Sequence, residues 1–151
     1  MKTLYKKELV NATANEEIKI VRDTETFGLS TYKTTITVAD GATTGKEAAI
    51  GMPADFLPLA VMVTVTVAAT NAVNLQDIGD DADTDAYVDG ATIALNTTGY
   101  KGIFGCNGVR GVGTGTAGAL TTADEVEVVV SGDPGATGAT MELVFLGVRV
   151  A

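Results

Sequence analysis

Apolar and polar positions alternate with a period of two along several stretches of this chain. From Thr31 to Val38, Tyr32, Thr34, Ile36 and Val38 fall on one side, and Lys33, Thr35 and Thr37 on the other. Successive side chains of a strand point to opposite faces, so this is the pattern of a strand with one solvated face. From Ala60 to Ala69, Val61, Val63, Val65 and Val67 share a face that is predicted to be core, with Met62, Thr64 and Thr66 opposite. Glu125 to Ser131 repeats the pattern with Val126, Val128 and Val130. Met141 to Val150 differs, because both of its faces carry apolar residues: Met141, Leu143, Phe145 and Gly147 against Glu142, Val144, Leu146 and Val148. Such a strand is expected between two sheets or in a subunit contact.

Weaker strands are predicted at Glu16 to Asp23, Lys46 to Gly51, Val73 to Ile78 and Tyr87 to Leu95. Met52 to Leu59 carries Pro53 and Pro58 and reads as a structured loop or a single helical turn. Gly99 to Gly118 is glycine-rich and reads as a long loop with a short strand at Tyr100 to Phe104. Asp40-Gly41 and Asp133-Pro134-Gly135 are turn sequences. No helical periodicity of useful length occurs. About eight strands separated by turns fit a sandwich or a barrel. The expected organisation is an arm or edge strand over residues 1–15, then one β-domain over 16–151.

Composition agrees with the pattern. The chain has 151 residues, 46% of them hydrophobic and 19% charged, which suits one globular domain with a real core. Val, Thr, Ala and Gly dominate, and β-branched residues suit a pleated surface. The net charge of −9 speaks against nucleic acid, whose phosphates are bound by Lys and Arg. The start, MKTLYKKELV, lacks the apolar core of a signal peptide, and Leu57 to Ala69 is too short and too interrupted to span a bilayer as a helix. A soluble chain with neither membrane nor nucleic-acid partners is expected.

Candidate chemistry is sparse. There is no histidine, so Ser-His-Asp and Cys-His catalysis and His-ligated metals are excluded. The single cysteine, Cys106, excludes an internal disulfide and a four-cysteine zinc site. Gly111 to Thr116 is glycine-rich but lacks the Lys-Ser/Thr of a phosphate loop. A carboxylate pair would suffice for glycoside hydrolysis, but no Trp is present as a sugar platform. A non-enzyme is expected. A carbohydrate- or ligand-binding sandwich is the alternative, with Tyr32, Tyr87, Tyr100 and Phe104 as its candidate platform. Asp81, Asp83, Asp85 and Asp89 form the opening of a calcium-loop pattern, since alternate loop carboxylates can converge on one hard cation. Ala86 and Thr92 stand where the EF-hand needs Gly and Glu. A solvated acidic loop is the competing reading.

The segment TITVADGATTGKEAAIGMPADFLPLAVMVTVTVAATNAVNLQDIGDDADTDAYVDG resembles small structural proteins of tailed bacteriophages, particularly capsid decoration (cement) proteins. The Thr/Val/Ala/Gly-rich strands, the D-x-D-x-D turn and the ending MELVFLGVRVA carry the resemblance over most of residues 31–151. It implies an all-β fold, a jelly-roll-like antiparallel β-sandwich. It also implies a virion protein, made in the host cytoplasm, that binds the outer surface of the assembled major capsid protein shell. A homo-oligomer is implied, a trimer favoured over a dimer. The N-terminal arm, with Leu4, Tyr5 and Leu9 among Lys2, Lys6 and Lys7, is the expected contact to a neighbour, either lying on an adjacent subunit or adding a strand to its sheet edge. The competing expectation is that this arm pairs within its own domain.

Overall fold

A computed structural model describes residues 18–22, 25–47, 51–53, 55–80, 83–107 and 125–149. These residues form nine strands and no helix. They are β1 (Ile18–Arg22), β2 (Glu25–Val38), β3 (Thr44–Lys46), β4 (Phe56–Val67), β5 (Asn74–Asp80), β6 (Ile93–Ala94), β7 (Gly99–Gly105), β8 (Val126–Val130) and β9 (Ala139–Arg149). No helix among them is long and apolar enough to cross a membrane.

The strands make two sheets. One has five strands in the order β1-β2-β9-β4-β7; the other has four in the order β3-β8-β5-β6. Every strand pairing is antiparallel. The logic of the order is a long hairpin folded on itself. β2 pairs with β9, β3 with β8, β4 with β7 and β5 with β6. Except at the β5–β6 turn, each successive strand from β2 to β9 crosses to the opposite sheet. Eight strands wound in this way make a jelly-roll sandwich. β1 is an addition, joined to β2 as a hairpin at the edge of the larger sheet.

The core lies between the sheets and comes from the inward half of each alternation. Ile36, Val38, Val61, Val63, Val65, Met141, Leu143 and Phe145 from one sheet meet Leu75, Ile78, Val126, Val128 and Val130 from the other. Phe145, on the middle strand, is the centre of an aromatic group. Its ring lies 5.6 Å from Tyr87 in an edge-on arrangement and 6.3 Å from Tyr32, which in turn lies 6.4 Å from Phe56. Just past β3, buried Glu47 bridges to Ile36 of β2 and joins the sheets. Its carboxylate accepts the Tyr32 hydroxyl at 2.5 Å and the Val126 N–H at 2.8 Å. A carboxylate taken out of water needs such donors to stay there.

Several sequence expectations are corrected. Phe56 to Leu59 is neither a loop nor a helical turn but the start of β4. Pro58 is tolerated there because it lies beyond the reach of β7 and beside a register shift between Pro58 and Ala60. Val67 is exposed, not core, because a second shift between Val65 and Val67 breaks the alternation and turns it outward. β3 ends at Lys46, where the predicted strand begins, and residues 48–50 of that prediction lie outside the described ones. Of Tyr87 to Leu95 only Ile93–Ala94 is strand, with Val88 held by a single bridge to Ile78. β7 extends the strand predicted at Tyr100 to Phe104 by a residue at each end.

Candidate binding surfaces

Three regions outside the core gather polar or apolar groups in a way that bears on binding. The first is the end of the sandwich where the β2–β3, β4–β5 and β8–β9 connections meet. Asp133 accepts the Gly41 N–H at 2.9 Å and the Gly135 N–H at 2.8 Å. The Pro134 carbonyl accepts the Thr70 and Asn71 N–H groups, and Thr70 and Thr137 join through their hydroxyls at 2.8 Å. This cluster is structural: its polar groups satisfy one another. The two N–H donors hold the Asp133 carboxyl below its ordinary value. A lowered folded-state pKa stabilises the fold above the unfolded pKa, near 4, and this is lost as pH falls through the folded value. Asp133→Asn is therefore expected to lower Tm at pH 7, with the gap from the parent closing as pH falls below the ordinary carboxylate range. Melts followed by circular dichroism across that range test it. A gap unchanged at low pH would remove the carboxylate as its source.

The second region is the acidic loop. Its anchor is Asp80, which is fully buried at the end of β5. Asp80 accepts the Asp83 N–H at 2.9 Å, and the Tyr87 hydroxyl lies 3.4 Å from its second oxygen. Asp77 accepts the Gly90 N–H at 2.9 Å. The loop folds so closely over β5 that a Cβ on Gly79 would lie 2.6 Å from the Thr84 carbonyl oxygen. Asp83 and Asp85 come together: the hydrogen bond from Asp83 and its charge push the Asp85 carboxyl up. Asp89 is exposed, and Asp81 lies outside the described residues. Among the described residues no group of three or more His, Cys, Asp or Glu side chains could hold a metal ion.

The third region is the outer face of the five-stranded sheet. Leu59, Val67, Tyr100, Ile103 and Leu146 are the large hydrophobic side chains left exposed among the described residues. The pairing register places all five on this face. Leu146 lies opposite Ala60 and Thr31, and Ile103 opposite Met62, which lies opposite Val144. Leu59 is the extra residue of the Pro58/Ala60 shift, and Val67 is turned outward by the Val65/Val67 shift. Sequence reasoning anticipated only the β9 part, from the double apolarity of Met141 to Val150. The shifts that bring Leu59 and Val67 to the same face leave no sequence signature.

The proposed sugar platform does not assemble. Tyr87 is fully buried against Phe145, and Phe104 packs on the core. Tyr32 is half-buried and bonded to Glu47, while Tyr100 is exposed on the outer face. Burial pushes the Cys106 thiol up to about 12, so it stays protonated and weakly nucleophilic at neutral pH. The arm residues Lys2, Leu4, Tyr5, Lys6, Lys7 and Leu9 lie outside the described residues.

No family model matches this chain, and no curated protein matches it. It is similar in structure to a chain of the solved "Cyanophage Pam1 capsid asymmetric unit", with a TM-score of 0.54 and 12% sequence identity. The similarity covers 94% of this chain and all of that one. At that identity the likeness is one of fold between two chains of about the same length.

Proposed function

We propose that this chain is a structural protein of a bacteriophage virion, a decoration protein that binds the outer surface of the assembled capsid shell and stabilises it. The observation that carries the proposal is the end-to-end likeness to a capsid chain of about the same size. The jelly-roll order supports it, since this fold recurs in viral capsid domains. The residue inventory supports a role in packing and not in catalysis: no histidine, and a single cysteine whose thiol stays protonated. The partner is the major capsid protein, and the decoration protein acts as a homo-oligomer, a trimer before a dimer. Its place is the capsid surface, where an acidic particle of net charge −9 has no affinity for packaged DNA. The arm with Leu4, Tyr5 and Leu9 among Lys2, Lys6 and Lys7 is assigned to the capsid contact, where three cations suit an acidic neighbour.

The test uses phage capsids assembled without this chain. Purified chain is expected to sediment with them and to raise the temperature at which they open. A form lacking residues 1–15 is expected to sediment at least tenfold less well. Capsids that neither bind the chain nor gain heat resistance would overturn the proposal. Full binding by the truncated form would overturn the role of the arm alone.

A further inference from the structure

We infer that strand β7, the open edge of the five-stranded sheet, is built to refuse a further strand, so that copies of this chain do not join sheet to sheet through it. The inference rests neither on the capsid reading nor on the number of copies that act together.

Among the described residues the two sheets end on four strands: β1 and β7 bound the larger, β3 and β6 the smaller. β3 has three residues and β6 two, too few to hold a neighbour when strands ordinarily run about five or six. β1 has five, and two of them are the cations Lys19 and Arg22. β7 has seven residues and pairs only with β4. Its side chains favour association: Tyr100 is 59% exposed and Ile103 67%. A long, flat edge strand of that composition offers its unpaired N–H and C=O groups to any other strand, and such edges aggregate.

β7 is not flat. Val63 on β4 lies opposite Gly102, and the next residue, Thr64, lies opposite Tyr100, so Lys101 is an extra residue without a partner on β4. This is a β-bulge, which bends its strand, increases the local twist and interrupts the ladder. Glycine makes the bend possible. Gly102 has a φ of 142° and Gly99 one of 111°, values that other residues rarely adopt. An added antiparallel strand needs N–H and C=O groups that recur at a regular spacing along the edge. The bulge leaves residues 99–100 on one side and 102–105 on the other, so neither run reaches the length of an ordinary strand.

Charge acts at the same place. The extra residue is a lysine, the residue most used to keep edges from pairing. Lys101 is half-buried, and its ammonium donates to the Thr97 hydroxyl at 2.6 Å, just before β7 begins. Among the described residues no carboxylate pairs with it. A strand laid along β7 would take this ammonium further out of water without supplying an anion, and an unpaired buried charge is costly. Bulge and lysine are thus two independent obstacles set at one residue, in the middle of the edge that most needs them.

The test follows the full chain by light scattering over days at millimolar concentration, with no capsid present. The parent is expected to hold one mass. Lys101→Val and a form lacking Lys101 are each expected to grow to roughly tenfold that mass or more, with the infrared band of intermolecular strands. Lys33→Val makes the same change on β2, which is paired on both sides, and is expected to hold its mass as the parent does. Growth of the folded parent into strand-paired assemblies would overturn the inference. So would either Lys101 form if it melts like the parent and holds its mass, or Lys33→Val if it grows as fast as Lys101→Val. Should both Lys101 forms fail to fold, amide hydrogen exchange of the parent decides. β7 rates that are the same at micromolar and millimolar concentration support the inference, and protection that rises with concentration overturns it. Capsid binding is read separately by sedimentation, so failure of one result leaves the other standing.

Discussion

Phe145→Ala is expected to lower the free energy of unfolding by about 3–5 kcal/mol. Phe145 is fully buried on β9, which lies in the middle of the five-stranded sheet between β2 and β4. Its ring touches both layers: Tyr32 belongs to its own sheet, and Tyr87 packs edge-on at 5.6 Å from the loop that follows β5. Truncation removes the transfer energy of the ring and leaves a cavity. It also forfeits aromatic contacts worth about 0.5–1.5 kcal/mol each. Cavity cost depends on how far the surroundings can collapse, and here they are held. Tyr32 is tied to Glu47, and the Tyr87 backbone is bonded to Ile78. Domains carry about 5–15 kcal/mol of stability in all, so this one change would leave the fold marginal. Urea unfolding followed by tyrosine fluorescence measures it, unobscured by tryptophan, since the chain has none. A loss under about 1 kcal/mol would mean that the aromatic group does not anchor the two layers.

Gly147→Ala is expected to cost about 3 kcal/mol, at the upper end of overpacking effects. Gly147 is on β9 two residues beyond Phe145 and points into the core. A Cβ there would lie 2.6 Å from Phe56 Cζ and closer still to the Leu57 carbonyl oxygen. Rotating Phe56 would relieve the first contact only. The second is with backbone that belongs to the neighbouring strand, so β4 and β9 would have to separate. Gly105→Ala is the control. Nothing lies within 4 Å of a Cβ at that position, so a change within about 0.5 kcal/mol is expected. Comparable losses at both positions, in the same denaturation assay, would show that the cost is one of strand conformation and not of packing.

Much of this arrangement was legible in the chain. Alternation identified the second half of β2, β8, β9 and most of β4, and it placed Ile36, Val61, Val63 and Val65 inward as observed, while the two apolar faces of β9 looked alike. Period-two patterning works there because one side of each strand faces the other sheet and the opposite side does not. The pattern misled at the ends of β4. Pro58 looked like a strand breaker, and Val67 looked like core. Both depend on register shifts against β9, which are properties of a pair of strands and not of either one alone. The short strands β3 and β6 were misplaced for a related reason. Two or three residues have too little pattern of their own, and β8 and β5 impose the pairing.

The candidate surfaces divide in the same way. Double apolarity of Met141 to Val150 fitted either burial between sheets or a subunit contact; in the fold Met141, Leu143 and Phe145 face the core, and Leu146 lies exposed on the outer face. Nothing in the sequence distinguished Glu47 or Asp80 from other acidic residues, yet both are buried. The partners of Glu47 are the distant Val126 N–H and the Tyr32 hydroxyl, which leave no mark in local sequence, whereas Asp80 is held by Asp83 and Tyr87 of the loop that follows it. The four candidate platform aromatics looked equivalent as residues, and the fold sent Tyr87 into the core and Tyr100 to the surface.

By itself, then, the sequence determined the class of the fold, the inward faces of β2, β4 and β8 and the absence of histidine- and disulfide-based chemistry. These follow from composition and from a backbone repeat that every strand shares. Only the tertiary structure decided the winding of eight strands into a jelly roll, the two shifts in β4 and the gathering of five exposed hydrophobics on one sheet face. These are long-range pairings between residues as far apart as Lys33 and Val144, and local pattern does not encode which strand lies beside which.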